Sequence, residues 1–460
     1  MIVPDTIQSI PLGAGPKYAA LAEALRTRID EGDLAPGARL PPVRDLAYDL
    51  GVTPGTVSRA YAILTDEGRL VARVGRGTFV APRDAVRHPY LAETTAPDVV
   101  NLKSSVIPDV GQSALIAEAM RHAADALGAG VVEYARREDD LPVIAALMAH
   151  LAPADYAAVP HDHVILTAGG QHALTVAMQH LLRGARRTVL TEELCYPGFR
   201  FAASLAHARC APVRGDDEGL LPDALDAACR QHGPAVLCLL PEVSNPTLVR
   251  TSPTRRAALA EVARRHDLHV VADDTFSLGR QDGPSFRMLM PERGWQVVSL
   301  SKSLSPTLRF GALIAAEGHA MDCLAVTQQQ FYGLSGLTLA TVRALIEGGA
   351  AARVRDDIRA FCRDRTLMVR EVLGDGARTD PEMPFIWLTL PARWRASSFA
   401  EACLSRGLLV RPGDQFAAPG GAAPNAVRIY MNGRMSEPAF RAALRDIAAL
   451  LDRPQPAIEA

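Results

Sequence analysis

Three helical periods and then an alternating segment open the chain. Tyr18, Leu21, Leu25 and Ile29 fall on one helical face, and Gly32 with Pro36-Gly37 ends that helix. A second short helix over Val43 to Leu50 carries Leu46 and Leu50 inward, and Gly51 makes the turn after it. Thr53 is a good N-cap with Pro54 at the first helical position, starting a third helix that runs to about Glu67 and buries Val57, Tyr61 and Leu64. Past Gly68, residues Leu70 to Val80 alternate and predict a hairpin turning at Gly75–Gly77. Helix, helix-turn-helix and two-stranded wing make a winged helix-turn-helix over residues 1–81. Residues 82–97 lack periodicity and contain X-Pro bonds, which predicts a linker. Over residues 98–455 apolar runs alternate with helical stretches: Val164–Thr167, Thr188–Thr191, Ala235–Leu240, Leu268–Ala272, Val297–Leu300 and Gly311–Ala316. That alternation predicts an α/β body, a mainly parallel sheet covered by helices.

Composition narrows the class. The chain has 460 residues, 48% hydrophobic and 22% charged, too long for one ordinary core and too apolar for a disordered chain. No apolar run reaches the ~18 residues of a membrane span, and Met1 to Gly15 lacks the pattern of a secretory signal. The seven cysteines (195, 210, 229, 238, 323, 362, 403) are scattered and read as reduced thiols in a cytoplasmic protein. His161 and His163, or His172 and His180, lack partners at metal-ligand spacing, so no metal site is expected.

Charge matters only locally. The formal net charge is −2, and residues 1–85 balance ten basic against ten acidic side chains. Residues 53–83 hold five arginines against Asp66 and Glu67, the polarity a recognition helix and wing need to meet phosphates. The pattern alone leaves open a protein-interaction unit with a solvated charged face.

Leu40-Pro-Pro-Val-Arg-Asp-Leu-Ala47, Gly51-Val-Thr-Pro-Gly-Thr-Val57, Arg59-Ala-Tyr61 and Gly75-Arg-Gly-Thr-Phe-Val80 resemble the GntR-type winged helix, almost without a gap over residues 16–80. The resemblance implies a double-stranded DNA operator as partner, touched by Arg44, Thr53, Thr56, Arg59, Arg76 and Thr78. Pro54-Gly55 departs from it where a longer polar or basic pair is common.

Ligands of parallel sheets sit beyond the carboxyl ends of the strands. Those ends here carry Gly169-Gly170-Gln171 opening a helix, Tyr196-Pro-Gly, Ser244-Asn-Pro-Thr, the pair Asp273-Asp274, and Ser301-Lys302-Ser303 followed by Arg309. Together they suit one chemistry. A lysine amine can form a Schiff base with an aldehyde, whereas a guanidinium practically never loses its proton. A carboxylate can hold a pyridinium nitrogen, an aromatic ring can stack on the pyridine, and helix N–H groups with Ser and Arg can hold a phosphate. The set describes pyridoxal 5′-phosphate (PLP). Only three of the 49 basic residues are lysine (Lys17, Lys103 and Lys302), so Lys302 stands where the chemistry requires an amine in a chain that otherwise uses arginine.

The body resembles fold-type I aminotransferases over residues 98–455, with a smaller C-terminal subdomain over about 335–455. The resemblance implies Lys302 as the catalytic Schiff-base lysine, Asp273 at the pyridine nitrogen, Asn245 at the ring oxygen and Tyr196 stacked on the ring. It implies Gly170, Gln171, Ser299 and Arg309 around the phosphate, Tyr134 reaching it from a second subunit, and Arg428 binding an effector carboxylate. Departures bear on turnover. The Asp-x-x-Tyr string reads Asp273-Asp-Thr-Phe276, Asn-Pro-Thr-Gly reads Asn245-Pro-Thr-Leu248, the expected Gly-Gly reads Glu382-Met-Pro384, and the loop after Tyr134 lacks its glycine.

A winged helix fused to such a body is the arrangement of the MocR-type regulators of the GntR family. That resemblance implies a head-to-tail homodimer and a PLP-dependent transcription regulator, in which a small amino compound or PLP itself is sensed at Lys302. The alternative is an active aminotransferase with a regulatory or vestigial N-terminal module, against which Phe276 stands.

Overall fold

A computed structural model describes residues 17–66, 69–73, 77–81, 99–128, 130, 133–151, 156, 158–279, 281–419, 421 and 423–452. The chain divides into two compact units, one ending at Thr94 and one spanning Thr95–Gln455.

The first unit contains α1 (Lys17–Glu31), α2 (Val43–Asp49), α3 (Pro54–Asp66), β1 (Leu70–Arg73) and β2 (Gly77–Val80). Leu21, Leu25, Leu46, Val57, Leu64, Leu70 and Val80 meet in one core, which is why the three helical stripes and the inward wing positions share a single apolar centre. Thr53 caps α3, its Oγ1 accepting from the Thr56 N–H at 3.3 Å. The wing strands pair antiparallel, Leu70 opposite Val80 and Arg73 opposite Gly77. Gly75 and Arg76 of the expected turn at Gly75–Gly77, and the linker 82–97, lie outside the described residues.

The second unit opens with β3 (Val100–Asn101), α4 (Gln112–Leu127) and α5 (Arg137–Leu151). Strand–helix alternation follows: β4 (Val164–Thr167), α6 (Gly170–Leu181), β5 (Thr188–Glu192), α7 (Pro197–Leu205), β6 (Arg209–Val213). After the short strands β7 (Gly215–Asp216) and β8 (Gly219–Leu220) come α8 (Pro222–His232), β9 (Val236–Leu239), α9 (Pro253–Arg265), β10 (His269–Asp273), α10 (Phe286–Leu289), β11 (Gly294–Ser299) and β12 (Gly311–Ile314). The seven-stranded sheet has the order β4-β12-β11-β10-β9-β5-β6. Its pairs are parallel except for β12, which runs antiparallel to both β11 and β4. Both faces are covered, so the strands are continuously apolar. Val236 and Cys238 of β9 enter one core and Leu237 and Leu239 the other, one on each face.

The helices α11 (Ala320–Phe331) and α12 (Gly336–Glu347) follow, and Leu339, Val342 and Leu345 of α12 join the larger core. The long α13 (Ala350–Leu373) leads into β13 (Ala377–Arg378), β14 (Phe385–Thr389), α14 (Ala396–Leu404), β15 (Leu408–Leu409), β16 (Arg411–Pro412), β17 (Ala426–Tyr430) and α15 (Glu437–Leu451). A four-stranded sheet in the order β13-β14-β17-β16 packs on its own core of Ile386, Val427, Ile429, Phe440 and Leu444. β3 pairs parallel with β15 in a separate two-stranded sheet, which ties the start of this unit to its C-terminal part.

Candidate functional site

Asp273 ends β10, Lys302 follows β11, Asn245 follows β9, Tyr196 follows β5, and Gly169-Gly170 joins β4 to α6. The carboxyl ends of five strands therefore deliver five of the residues expected from the sequence.

Lys302 is half-buried, and its Nζ donates to the Ser105 hydroxyl at 2.8 Å. Burial pushes its pKa down to about 8, and the nearby Arg428 and Arg309 cations push the same way against Asp273. Asp273 is buried, and burial raises its pKa; contacts to Thr275 and the charge of Lys302 hold the rise back. The Thr275 N–H donates to its Oδ1 at 2.9 Å. Asp274 belongs to a different environment. It accepts from the Tyr156 hydroxyl at 3.2 Å and lies against the Gln296 amide. Burial raises it well above the carboxylate range, and the Glu242 charge adds to that.

Arg428, on β17, is buried and reaches across to this cluster. Its Nη1 donates to Asn245 Oδ1 at 2.9 Å and its Nη2 to the Lys103 carbonyl at 2.6 Å. The oxygen of Asn245 is committed to that bond, so its amide N–H groups are the ones left to bond a ring oxygen. Rings of Phe416, Tyr430 and Phe385 surround the guanidinium at 4.9, 5.5 and 5.7 Å.

A glycine turn shapes the other end. The first N–H groups of α6 have no intrahelical acceptor. A Cβ on Gly170 would lie 2.8 Å from Thr275 Oγ1, so only glycine keeps that helix start open. The Arg309 guanidinium lies over this turn, donating to the Ala168 carbonyl at 2.8 Å. Ser299 at the end of β11 bonds Ser301 Oγ at 2.9 Å and the Phe310 carbonyl at 3.1 Å. Tyr196 donates to Gln171 Oε1 at 3.1 Å while the Gln171 amide donates to the Gly198 carbonyl at 3.0 Å. A Cβ on Gly198 would fall 2.1 Å from the Tyr196 ring, which fixes glycine there. The glycine-lined helix start, the buried carboxylate and the lysine of lowered pKa fit the phosphate, ring nitrogen and aldehyde of PLP.

Tyr134 is not brought to Lys302 within the chain. It is 81% exposed, its ring 5.7 Å from that of Tyr332. Sequence reasoning also missed Ser105 and Tyr430. Tyr430 had a signal, lying two residues after Arg428 and so on the same strand face. Ser105 had none, because its proximity depends on a contact 197 residues distant in sequence.

In the first unit Arg44 and Thr53 are exposed, and Thr56 and Thr78 half-buried. The Arg59 guanidinium is exposed but rests 4.0 Å from the centroid of the Tyr18 ring. Tyr48, one helical turn from Arg44, is 88% exposed and was not expected at this surface.

The family described as aminotransferase class I and II matches residues 97–447, and that described as bacterial regulatory proteins, gntR family, matches residues 17–80. The HTH-type transcriptional regulator YdeF of Bacillus subtilis is 27% identical over 429 residues, covering 92% of this chain and 91% of its own length. TauR of Rhodobacter capsulatus, also an HTH-type transcriptional regulator, is 28% identical, with coverages of 89% and 91%. The pyridoxine biosynthesis transcriptional regulator PdxR of Corynebacterium glutamicum is 27% identical, with coverages of 77% and 78%. An archaeal alanine:glyoxylate aminotransferase superposes with a TM-score of 0.68 at 22% identity, over 77% of this chain and 90% of that one, which shows the fold. Among the described residues no helix is long and apolar enough to cross a membrane.

Proposed function

The chain belongs to the class I and II aminotransferase family and carries a gntR-type domain before it, in the MocR-type arrangement, and from that premise we propose a PLP-dependent DNA-binding transcription regulator. The observation that carries the reading is Lys302, with its pKa lowered to about 8, between Asp273, Arg309 and Arg428 in a chain that begins with a winged helix.

When bound, PLP supplies an aldehyde that condenses with amines and a ring that serves as an electron sink. Lys302 provides the neutral amine that such an aldehyde requires, because its pKa of about 8 leaves an appreciable free-amine fraction near neutrality. Asp273 stands to keep the pyridine nitrogen protonated, Asn245 to donate to the ring oxygen, and Tyr196 to cover the ring. Gly170, Gln171, Ser299 and Arg309 stand to hold the phosphate, with Tyr134 of a second subunit completing it in a head-to-tail homodimer. Arg428 offers a planar fork to the carboxylate of an amino-compound effector. An effector shifts DNA binding only by preferring one state of the dimer over another. Arg44, Thr53, Thr56, Arg59, Arg76 and Thr78 make the operator surface.

Phe276 disfavours efficient turnover and so favours sensing over catalysis. The test is a titration of the PLP-loaded chain with a panel of amino acids and amines, followed by cofactor absorbance and operator binding together. Spectral change coupled to a change in operator affinity is expected. Multiple turnovers between an amino acid and a keto acid, with operator binding indifferent to both, would overturn it.

A further inference from the structure

The hydroxyl absent at Phe276 has a counterpart that enters from another strand. Lys302 Nζ donates to Ser105 Oγ at 2.8 Å, and Ser105 donates onward to the Tyr430 hydroxyl at 2.6 Å. Phe276 offers only its ring, 5.4 Å from the lysine nitrogen. Tyr430 is fully buried, its ring stacked on Phe385 at 6.0 Å, and burial raises its pKa, so it stays a neutral phenol.

The geometry is built rather than incidental. The segment bearing Ser105 is strapped along the end of β17. The Tyr430 N–H donates to the Leu102 carbonyl at 2.7 Å, the Asn432 amide to the Asn101 carbonyl at 2.9 Å, and the Gly433 N–H to the Val106 carbonyl at 2.8 Å. Asn101 Oδ1 then accepts from the Lys103 and Ser104 N–H groups, both at 3.0 Å, which fixes the turn just before Ser105.

We propose that Ser105 and Tyr430 are positioning residues that hold the Lys302 ammonium and set the pH at which the amine becomes free. This rests on Lys302 being the cofactor lysine. An ammonium with a hydroxyl acceptor is stabilised relative to the free amine, and an acceptor whose own proton is engaged elsewhere is a better one. Tyr430 and Arg428 share one face of β17, so the strand that carries the carboxylate fork also carries the end of this relay.

The test uses the full-length chain freed of cofactor, with its thermal melt as a check of folding. Acetic anhydride at trace concentration acetylates a lysine only in its unprotonated form, and with three lysines in the chain the Lys302 peptide is readily resolved by mass spectrometry. In the wild type the rate at Lys302 should rise through an inflection near pH 8. Ser105→Ala should move the inflection down by about one unit, making the reaction roughly tenfold faster below it, and Tyr430→Phe should move it the same way by less. Ser105→Thr, which keeps the hydroxyl, should restore the wild-type profile. A Ser105→Ala profile superimposed on that of a folded wild type would overturn the proposal. A shifted profile in a chain that never shows the absorbance of lysine-bound PLP would instead sink the proposed function.

Discussion

Arg256 shows how a single residue supports the site without touching it. It is fully buried, and its Nη1 lies 2.6 Å from Glu242 Oε1 while its Nε and Nη2 bond the carbonyls of Thr251 and Pro241 at 2.9 and 3.2 Å. Those partners bracket the loop that presents Asn245. Removing one member of a buried pair leaves the other charge without compensation, so Arg256→Ala should cost about 3–5 kcal/mol, measurable as a lowered denaturation midpoint. PLP affinity should fall with it, because Asn245 loses its support. Arg428→Ala should behave differently. The chain should still take up PLP but should no longer distinguish carboxylate-bearing amino compounds from plain amines in a spectral titration, since a fork for the carboxylate is gone. Equal responses of wild type and variant to both ligand classes would show that the effector is held elsewhere.

At the scale of elements, the N-terminus of α3 gives the simplest prediction. Thr53 caps the helix through the Thr56 N–H, and its hydroxyl also meets the Thr56 hydroxyl at 3.0 Å. Thr53→Ala should destabilise the first unit by about 0.5–2 kcal/mol, seen as earlier melting of that unit in calorimetry, with operator affinity reduced beyond the fraction unfolded if the hydroxyl also reads DNA. That cap was legible because it depends on adjacent residues. So were β4, β9, β10 and β12, whose runs of Val, Ile and Leu are long enough to need two covered faces. The antiparallel direction of β12 was not legible, since an apolar run is the same read either way. The strand Arg209–Val213 escaped as well, because an arginine and a proline interrupt it at the sheet edge. The two-residue strands at 100–101, 408–409 and 411–412 are too short for any periodicity, yet the first of them leads into the segment whose Ser105 meets Lys302. The polar residues at strand ends could be read because topology fixes where ligands sit; the strap could not, because it exists only through long-range backbone bonds.

For the whole molecule, the question is whether the two units carry separable tasks. Each has a core of its own: Leu21, Leu46, Val57 and Leu64 in the first, and the two faces of the seven-stranded sheet in the second. A charge on the surface of the first core can therefore be removed without disturbing the residues around Lys302. Arg44 is exposed on α2 beside Leu46, which points into that core. Arg44→Ala should abolish the operator shift in a gel assay, and the affinity that remains should depend less on salt, because a phosphate contact has been lost. The absorbance of the PLP-loaded chain and its response to amino compounds should be unchanged. Lys302→Ala should give the converse, a chain that lacks the lysine-bound cofactor band yet keeps a folded winged helix able to bind DNA without responding to effector. If Arg44→Ala alters the cofactor spectrum, or Lys302→Ala unfolds the first unit, the units are coupled through their stability. Regulation would then have to be sought in that coupling rather than in a ligand-driven shift between two states of an otherwise modular protein.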